Sequence, residues 1–255
     1  MKIGFIGTGH ITKSVITGIL GSKLKIKKII VSKRNNKVSL SLKRKSKKIL
    51  VIDNNQSIIN KCNWIFLSVT PDVGHKILPT LKFKKDQTII SFISTIKMKE
   101  LKKYTRLKSN IVRAIPLPPI SIRKGPVPIY PPNKKVKKFF DHLGTTIEIK
   151  NENLSLNFWS TSSMMAPFYE LLFTLSSWLN QNGIKNVDAQ KYITSLFGAL
   201  SEDAKINQKN DLKLLVKNSQ TPKGLNEQAI NELRKSGFYK SLSKTANSIL
   251  KRLKK

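Results

Sequence analysis

The chain has 255 residues, 39% of them hydrophobic, and a formal net charge of +34. That is enough apolar content for a real core and enough length for one large domain or two modest ones. A single cysteine, Cys62, excludes an internal disulfide and a multi-thiolate metal site.

No window offers the about 18 uninterrupted apolar residues that a membrane span needs. The apolar start runs into glycines and has no secretory leader pattern. A cytoplasmic protein with no membrane association is therefore expected. His10, His75 and His142 lie far apart without metal-like spacing, so no metal is expected. The positive charge invites a nucleic-acid reading. Yet the lysines are spread along nearly the whole chain and mixed with Asn and Ile, the residues of AT-rich codons. No aromatic-rich strand, helix-turn-helix pattern or zinc spacing accompanies them. The expectation is no dedicated nucleic-acid binding, only salt-sensitive adhesion to polyanions.

The opening MKIGFIGTGHITKSV reads as a strand over 3–6, a glycine turn and a helix over 10–20. Further apolar runs at 28–32, 49–52, 64–69, 88–92, 110–115 and 146–149 read as strands. Helical stretches fall between them at 36–45, 72–81 and 97–104. Alternation of this kind predicts a parallel sheet covered on both faces. The proline-rich segment IPLPPISIRKGPVPIYPP, residues 115–132, reads as a loop or extended passage, because proline removes amide donors. Beyond about residue 151 the strand signal vanishes. Helices are predicted over 158–181, 188–207, 226–235 and 239–253. The fold class is therefore α/β, a Rossmann-like dinucleotide-binding domain over 1–150 followed by an all-helical domain over 151–255. Large side chains lie on more than one face of the helices, including Phe168, Phe173, Trp178 and Tyr192. A helix apolar all round is central in a core or packed on another chain, and about 100 residues make only a small core. A homo-oligomer, at least a dimer, is expected.

Gly7-Thr8-Gly9-His10-Ile11-Thr12 is a dinucleotide pattern with Thr12 in place of the third small residue. Glycine lets the backbone turn sharply and admit a charged group. The helix behind it aims free N–H groups at the turn. His10 and Ile11 start that helix and are placed to contact a cofactor. Thr12 is expected to loosen the helix–strand packing slightly. The plain alternative is a glycine turn with no ligand. The second strand closes on Ser32, Lys33 and Arg34, with no acid to accept from a ribose 2′-hydroxyl. A hydroxyl and two cations suit a 2′-phosphate, so NADPH is expected over NADH. In so lysine-rich a chain, the missing acid is the better half of that argument. Ligands in open α/β sheets lie beyond the carboxyl ends of strands. Ser68, Val69, Thr70 and Pro71 are thus expected to line the cofactor, as are Ser94 and Thr95. Each also reads as an ordinary strand-to-helix cap.

Over most of its length and in order, the sequence resembles the pyrroline-5-carboxylate reductase family. GFIGTGHITKSVITGIL resembles that family's N-terminal fingerprint, and IFLSVTPDVGHKIL its strand and V-x-P turn. IISFISTIKMKEL stands at its small-residue turn, and IVRAIPLPP at its R-x-M-P-N-T-P stretch. TPKGLNEQAINELRKSGF resembles its S-P-G-G-x-T motif with the following helix, and Pro222, Gly224, Leu233, Gly237 and Phe238 keep the spacing. Leu117 and Pro118 replace the usual Asn and Thr, Lys223 replaces the first glycine, and Asn226 stands where a threonine is usual.

The resemblance implies reduction of a cyclic imine carboxylate by NADPH, namely 1-pyrroline-5-carboxylate to L-proline. It also implies an interlocked helical dimer in which the turn 221–226 helps complete the substrate site. In that turn Gly224 would present backbone N–H groups to the carboxylate. Lys223 would add positive charge, and Asn226 would offer an amide donor to the ring nitrogen. The same turn also reads as a plain helix cap, with Thr221 or Asn226 as the capping residue and Glu227 early in the helix. Two other functions stay open: a reductase of another imine or keto compound, and a non-catalytic NADP-binding paralogue.

Overall fold

The computed structural model describes residues 1–93, 95–106, 110–207, 209 and 211–254. The chain forms two compact units, Met1–Trp159 and Ser160–Lys255. The first is built on eight strands: β1 (Lys2–Ile6), β2 (Lys28–Ser32), β3 (Ile49–Ile52), β4 (Trp64–Leu67), β5 (Thr88–Ser91), β6 (Ile111–Ala114), β7 (Pro126–Tyr130) and β8 (Thr145–Glu148). They form one sheet in the order β3-β2-β1-β4-β5-β6-β7-β8. All neighbours run parallel except β6 and β7. Between them lie α1 (His10–Leu20), α2 (Asn36–Lys45), α3 (Asn55–Lys61), α4 (Pro71–Ile77), α5 (Met98–Thr105) and α6 (Lys134–Phe140).

A parallel sheet covered on both faces needs strands that are apolar throughout. Alternate residues divide accordingly. Ile3, Phe5, Ile29, Val31 and Phe66 join one core, with Val15, Ile16 and Phe140 from the helices. Ile6, Ile30, Ile65 and Leu67 join the other, with Ile58, Ile59 and Leu101. Phe5 stacks on Phe66 across β1 and β4, with ring centroids 4.5 Å apart.

The proline-rich passage departs from its expected form. It contains a 3-10 turn, Pro118–Ile122, and the strand β7. Val127 and Ile129 of β7 are buried. Their side of the backbone faces β8, as the bond from Ile149 N to the Ile129 carbonyl shows. Pro126 and Pro128 therefore turn their missing donors toward β6. Only two residue pairs register there, Arg113 with Tyr130 and Ala114 with Ile129. The helices α3 and α6 also escape the sequence reading. Each has only seven residues, starts from an Asn cap and shows barely two turns of periodicity.

The helical region holds α7 (Ser155–Ser162), α8 (Met165–Gln181), α9 (Asn186–Ile206), α10 (Leu212–Asn218), α11 (Leu225–Lys235) and α12 (Phe238–Lys254). The helix expected over 158–181 is broken into α7 and α8 at Ser163-Met164, and α10 is additional. Within the second unit α8 packs on α9 and α11 on α12. Few side chains there are buried; Ala189 and Ile193 are the apolar ones among the described residues.

Candidate functional site

The strand order reverses between β1 and β4, and a cleft of about 530 Å³ opens at the carboxyl ends beside that point. Gly7, Thr8 and Gly9 line it from β1, Arg34, Asn35 and Asn36 from β2, and Ser68, Val69 and Thr70 from β4. Three helices start here: α1 behind Gly9, α2 behind Asn35 and α4 behind Thr70. Helix N-termini carry free N–H groups and positive dipole ends, which make the cleft attractive to an anion. No carboxylate is among its lining residues.

The turn is held by hydroxyls. Gly7 sits at φ +98, and a Cβ on it would lie 2.1 Å from the Ser68 carbonyl oxygen. The Gly7 N–H donates to Ser32 Oγ at 3.0 Å, and Thr8 Oγ1 donates to the Ser32 carbonyl at 2.5 Å. Thr12 Oγ1 lies 2.8 Å from both the Gly7 carbonyl and the Ser68 hydroxyl. Two expectations change as a result. Ser32 is 3% exposed and faces the turn, so its hydroxyl supports Gly7 and does not line the cleft. Thr12 is fully buried and pins α1 to the ends of β1 and β4, so the packing is fastened where loosening was expected.

Arg34 lines the cleft, while Lys33 is exposed beside it and its N–H donates to the Ile52 carbonyl. His10 is exposed and Ile11 half-buried at the start of α1; neither lines the cleft. Val69 and Thr70 line it, and Pro71 opens α4 just behind them. Ser94 lies outside the described residues. Asn35 and Asn36 were not anticipated. Asn35 accepts from Val38 N at 3.1 Å as the cap of α2. A capping residue three positions past the end of β2 is the signal that places the start of α2 at the cleft.

A dinucleotide fits these residues on one observation in particular. A Cβ built on Gly9 meets nothing within 4 Å, so the space beside this turn is open. Gly7, Thr8 and Gly9 would hold its phosphates, and Arg34 a 2′-phosphate.

In the helical unit Lys223 adopts φ +61, the left-handed region. Gly224 caps α11 without a side-chain bond, so neither Thr221 nor Asn226 is the cap. A Cβ on Gly224 would lie 2.2 Å from Thr221 Oγ1, which is why glycine stands there. Glu227 reaches back to accept from Lys223 N at 2.7 Å. Asn226 Nδ2 donates to the Ser219 carbonyl at 2.8 Å. One amide hydrogen of Asn226 is thus committed inside the turn. A groove of about 570 Å³ beside the turn is lined by Leu214, Lys217, Pro222, Glu227 and Arg234, among others, but not by Lys223, Gly224 or Asn226. Among the described residues no group of His, Cys, Asp and Glu is arranged to hold a metal ion. No helix among them is long and apolar enough to cross a membrane.

Two family models match separate parts of the chain. Residues 2–95 match the family model described as NADP oxidoreductase, coenzyme F420-dependent. Residues 156–255 match the model described as pyrroline-5-carboxylate reductase dimerisation. The chain is 26% identical over 126 residues to pyrroline-5-carboxylate reductase 2 of Bacillus subtilis (strain 168), which covers 49% of this chain and 45% of that protein. In sequence, the chain spans about half the length of the curated relatives it matches. Whole-chain likeness comes from solved structures. 1-Pyrroline-5-carboxylate reductase from Streptococcus pyogenes superposes with a TM-score of 0.83 at 20% identity, over 100% of this chain and 98% of that one. Plasmodium falciparum pyrroline carboxylate reductase with NADP bound gives 0.82 at 19% identity, over 100% and 97%. At such identities the likeness is one of fold.

Proposed function

We propose that this chain, which belongs to the pyrroline-5-carboxylate reductase family, reduces a cyclic imine carboxylate with NADPH. The leading substrate is 1-pyrroline-5-carboxylate and the product L-proline, which puts the protein in proline biosynthesis in the cytoplasm. The observation that carries the reading is the cleft at the strand-order reversal, lined by Gly7, Thr8, Gly9 and Arg34 and by no carboxylate.

The cofactor supplies the hydride when bound. The chain's own residues bind, orient and exclude water. Backbone N–H groups at the start of α1 hold the pyrophosphate, and Arg34 pairs with the 2′-phosphate by charge-assisted hydrogen bonds. Lys223 places a positive charge at the turn 221–226 for the substrate carboxylate. The Asn226 amide has a second hydrogen, which is the donor left for the ring nitrogen.

Absorbance at the nicotinamide band, followed with purified protein, NADPH and pyrroline-5-carboxylate beside a panel of other cyclic imines, tests the reading. Turnover fastest with pyrroline-5-carboxylate is expected. Turnover with another imine alone would move the substrate and keep the chemistry. A second reading, a paralogue that binds NADP without catalysis, draws on the Asn226 bond to Ser219. Binding of NADPH with no oxidation by any imine would select it.

A further inference from the structure

Glu152 is one of only fourteen carboxylates in the chain, and its partners are unusual. Its Oε1 accepts from Arg113 Nη1 at 2.5 Å and from the Met98 backbone N–H at 2.7 Å. Arg113 is 5% exposed, and its guanidinium carbon lies 5.1 Å from the centre of the Trp159 ring. One carboxylate oxygen therefore joins two places: the carboxyl end of β6, which carries Arg113, and the first residue of α5, which follows β5. Burial pushes the Arg113 pKa down, while the Glu152 charge and hydrogen bond pull it back up.

An ion pair with a buried arginine and a half-buried carboxylate adds little to stability, because desolvation of the arginine offsets much of the attraction. Its place in the fold gives it another use. β1, β4, β5 and β6 run parallel, so the ends of β5 and β6 lie on the same edge as the Gly7 turn. A dinucleotide whose phosphates sit at that turn, with its 2′-phosphate at Arg34 beyond β2, extends its other end past β4 toward β5 and β6.

We propose that Glu152 and Arg113 are positioning residues: their pair fixes the start of α5 against the end of β6 and so shapes the nicotinamide end of the cleft. The inference rests on the reductase reading. Neither residue touches substrate or cofactor; both act through the backbone they hold.

The test compares the parent protein with Glu152→Gln, which removes the Glu152 charge from beside Arg113, and with the apolar pair Arg113→Met/Glu152→Leu. Glu152→Gln is expected to lower both Tm and kcat. The apolar pair is expected to recover part of the Tm lost in Glu152→Gln, the Met98 N–H having lost its acceptor, while kcat stays at least tenfold low and KM for NADPH changes less than twofold. Recovery of kcat together with Tm would mean the ion pair only holds the fold, and would overturn the proposal. Should the apolar pair fail to fold, Glu152→Asp, which keeps the charge and shortens the reach, decides it: kcat equal to the parent overturns, a fivefold loss at unchanged Tm supports. A second readout needs no turnover. The fluorescence anisotropy of the bound reduced nicotinamide is expected to fall in the variants at saturating NADPH, and unchanged anisotropy overturns the proposal. A parent protein that binds NADPH but reduces no imine defeats the reductase reading alone, because the anisotropy still judges the pair.

Discussion

Arg34 is the cation that lines the cleft, with Lys33 exposed at its side and Ser32 turned inward. Discrimination of the 2′-phosphate therefore falls mainly on one guanidinium. NADPH is expected to bind at least tenfold tighter than NADH, about 1.4 kcal/mol. Arg34→Ala is expected to remove most of that difference and leave NADH binding alone. Fluorescence titration of both cofactors reads this, and equal affinities in the parent protein would remove Arg34 from the site. Lys223 makes a second case. Held at φ +61, it occupies a conformation that costs a non-glycine residue about 1 kcal/mol. Lys223→Gly is expected to raise stability by about 0.5–1 kcal/mol in urea unfolding, while KM for the imine carboxylate rises. A lower stability would show that the Lys223 side chain holds the turn. The residue types at both places were legible in the sequence: the missing acid after β2, and the lysine in a glycine position. What Ser32 and Thr12 do was not. Each hydroxyl finds its partner on another strand's turn, 25 residues away for the Ser32–Gly7 bond and 56 for the Thr12–Ser68 contact. Composition at one position carries no trace of such a partner.

At the scale of elements, the strand–turn–helix from β1 to α1 was legible because its period changes from two to 3.6 across a pair of glycines. The strand β7 was not, because prolines at alternate positions mimic a loop unless the neighbouring strand is known to forgo their donors. The two glycines of the first turn do different work, and substitution separates them. A Cβ at Gly7 collides with the Ser68 backbone at a positive φ. Gly7→Ala is therefore expected to destabilise the fold by about 3 kcal/mol, from backbone conformation and overpacking together. A Cβ at Gly9 meets nothing. Gly9→Val is thus expected to keep the circular dichroism spectrum and Tm, yet to lose NADPH binding, because its branched side chain enters the space the pyrophosphate needs. If Gly9→Val still binds NADPH with the parent affinity, the glycines form only a turn, and the cleft is not a cofactor site.

For the whole molecule, charge and apolar surface belong to one argument. The chain has 48 Lys and Arg residues, yet none falls within residues 151–184. Lysine that accumulates through codon bias is expected wherever a side chain reaches water, so a stretch without it is expected to be covered by a partner. That stretch carries large apolar groups open to solvent in the single chain: Phe173 is 64% exposed and Trp178 59%, and Tyr192 of the adjoining α9 is 61% exposed. Exposed patches of this kind mark an interface, and the region lies within the match to the dimerisation model. A second copy is the partner expected. Two chains of +34 repel at long range, so the contact must draw on apolar burial and should tighten as salt screens the charge. Light scattering at micromolar concentration is expected to give a dimer mass or larger, held or strengthened between 50 mM and 500 mM salt. Trp178→Glu combined with Phe173→Asp places carboxylates on the face. This variant is expected to yield monomers whose NADPH affinity stays within about threefold of the parent, because the cleft is built within the first unit alone. A monomer mass for the parent protein, with its circular dichroism intact, would show that these aromatic side chains are tolerated in water, and would leave the lysine-free stretch without the partner it is assigned.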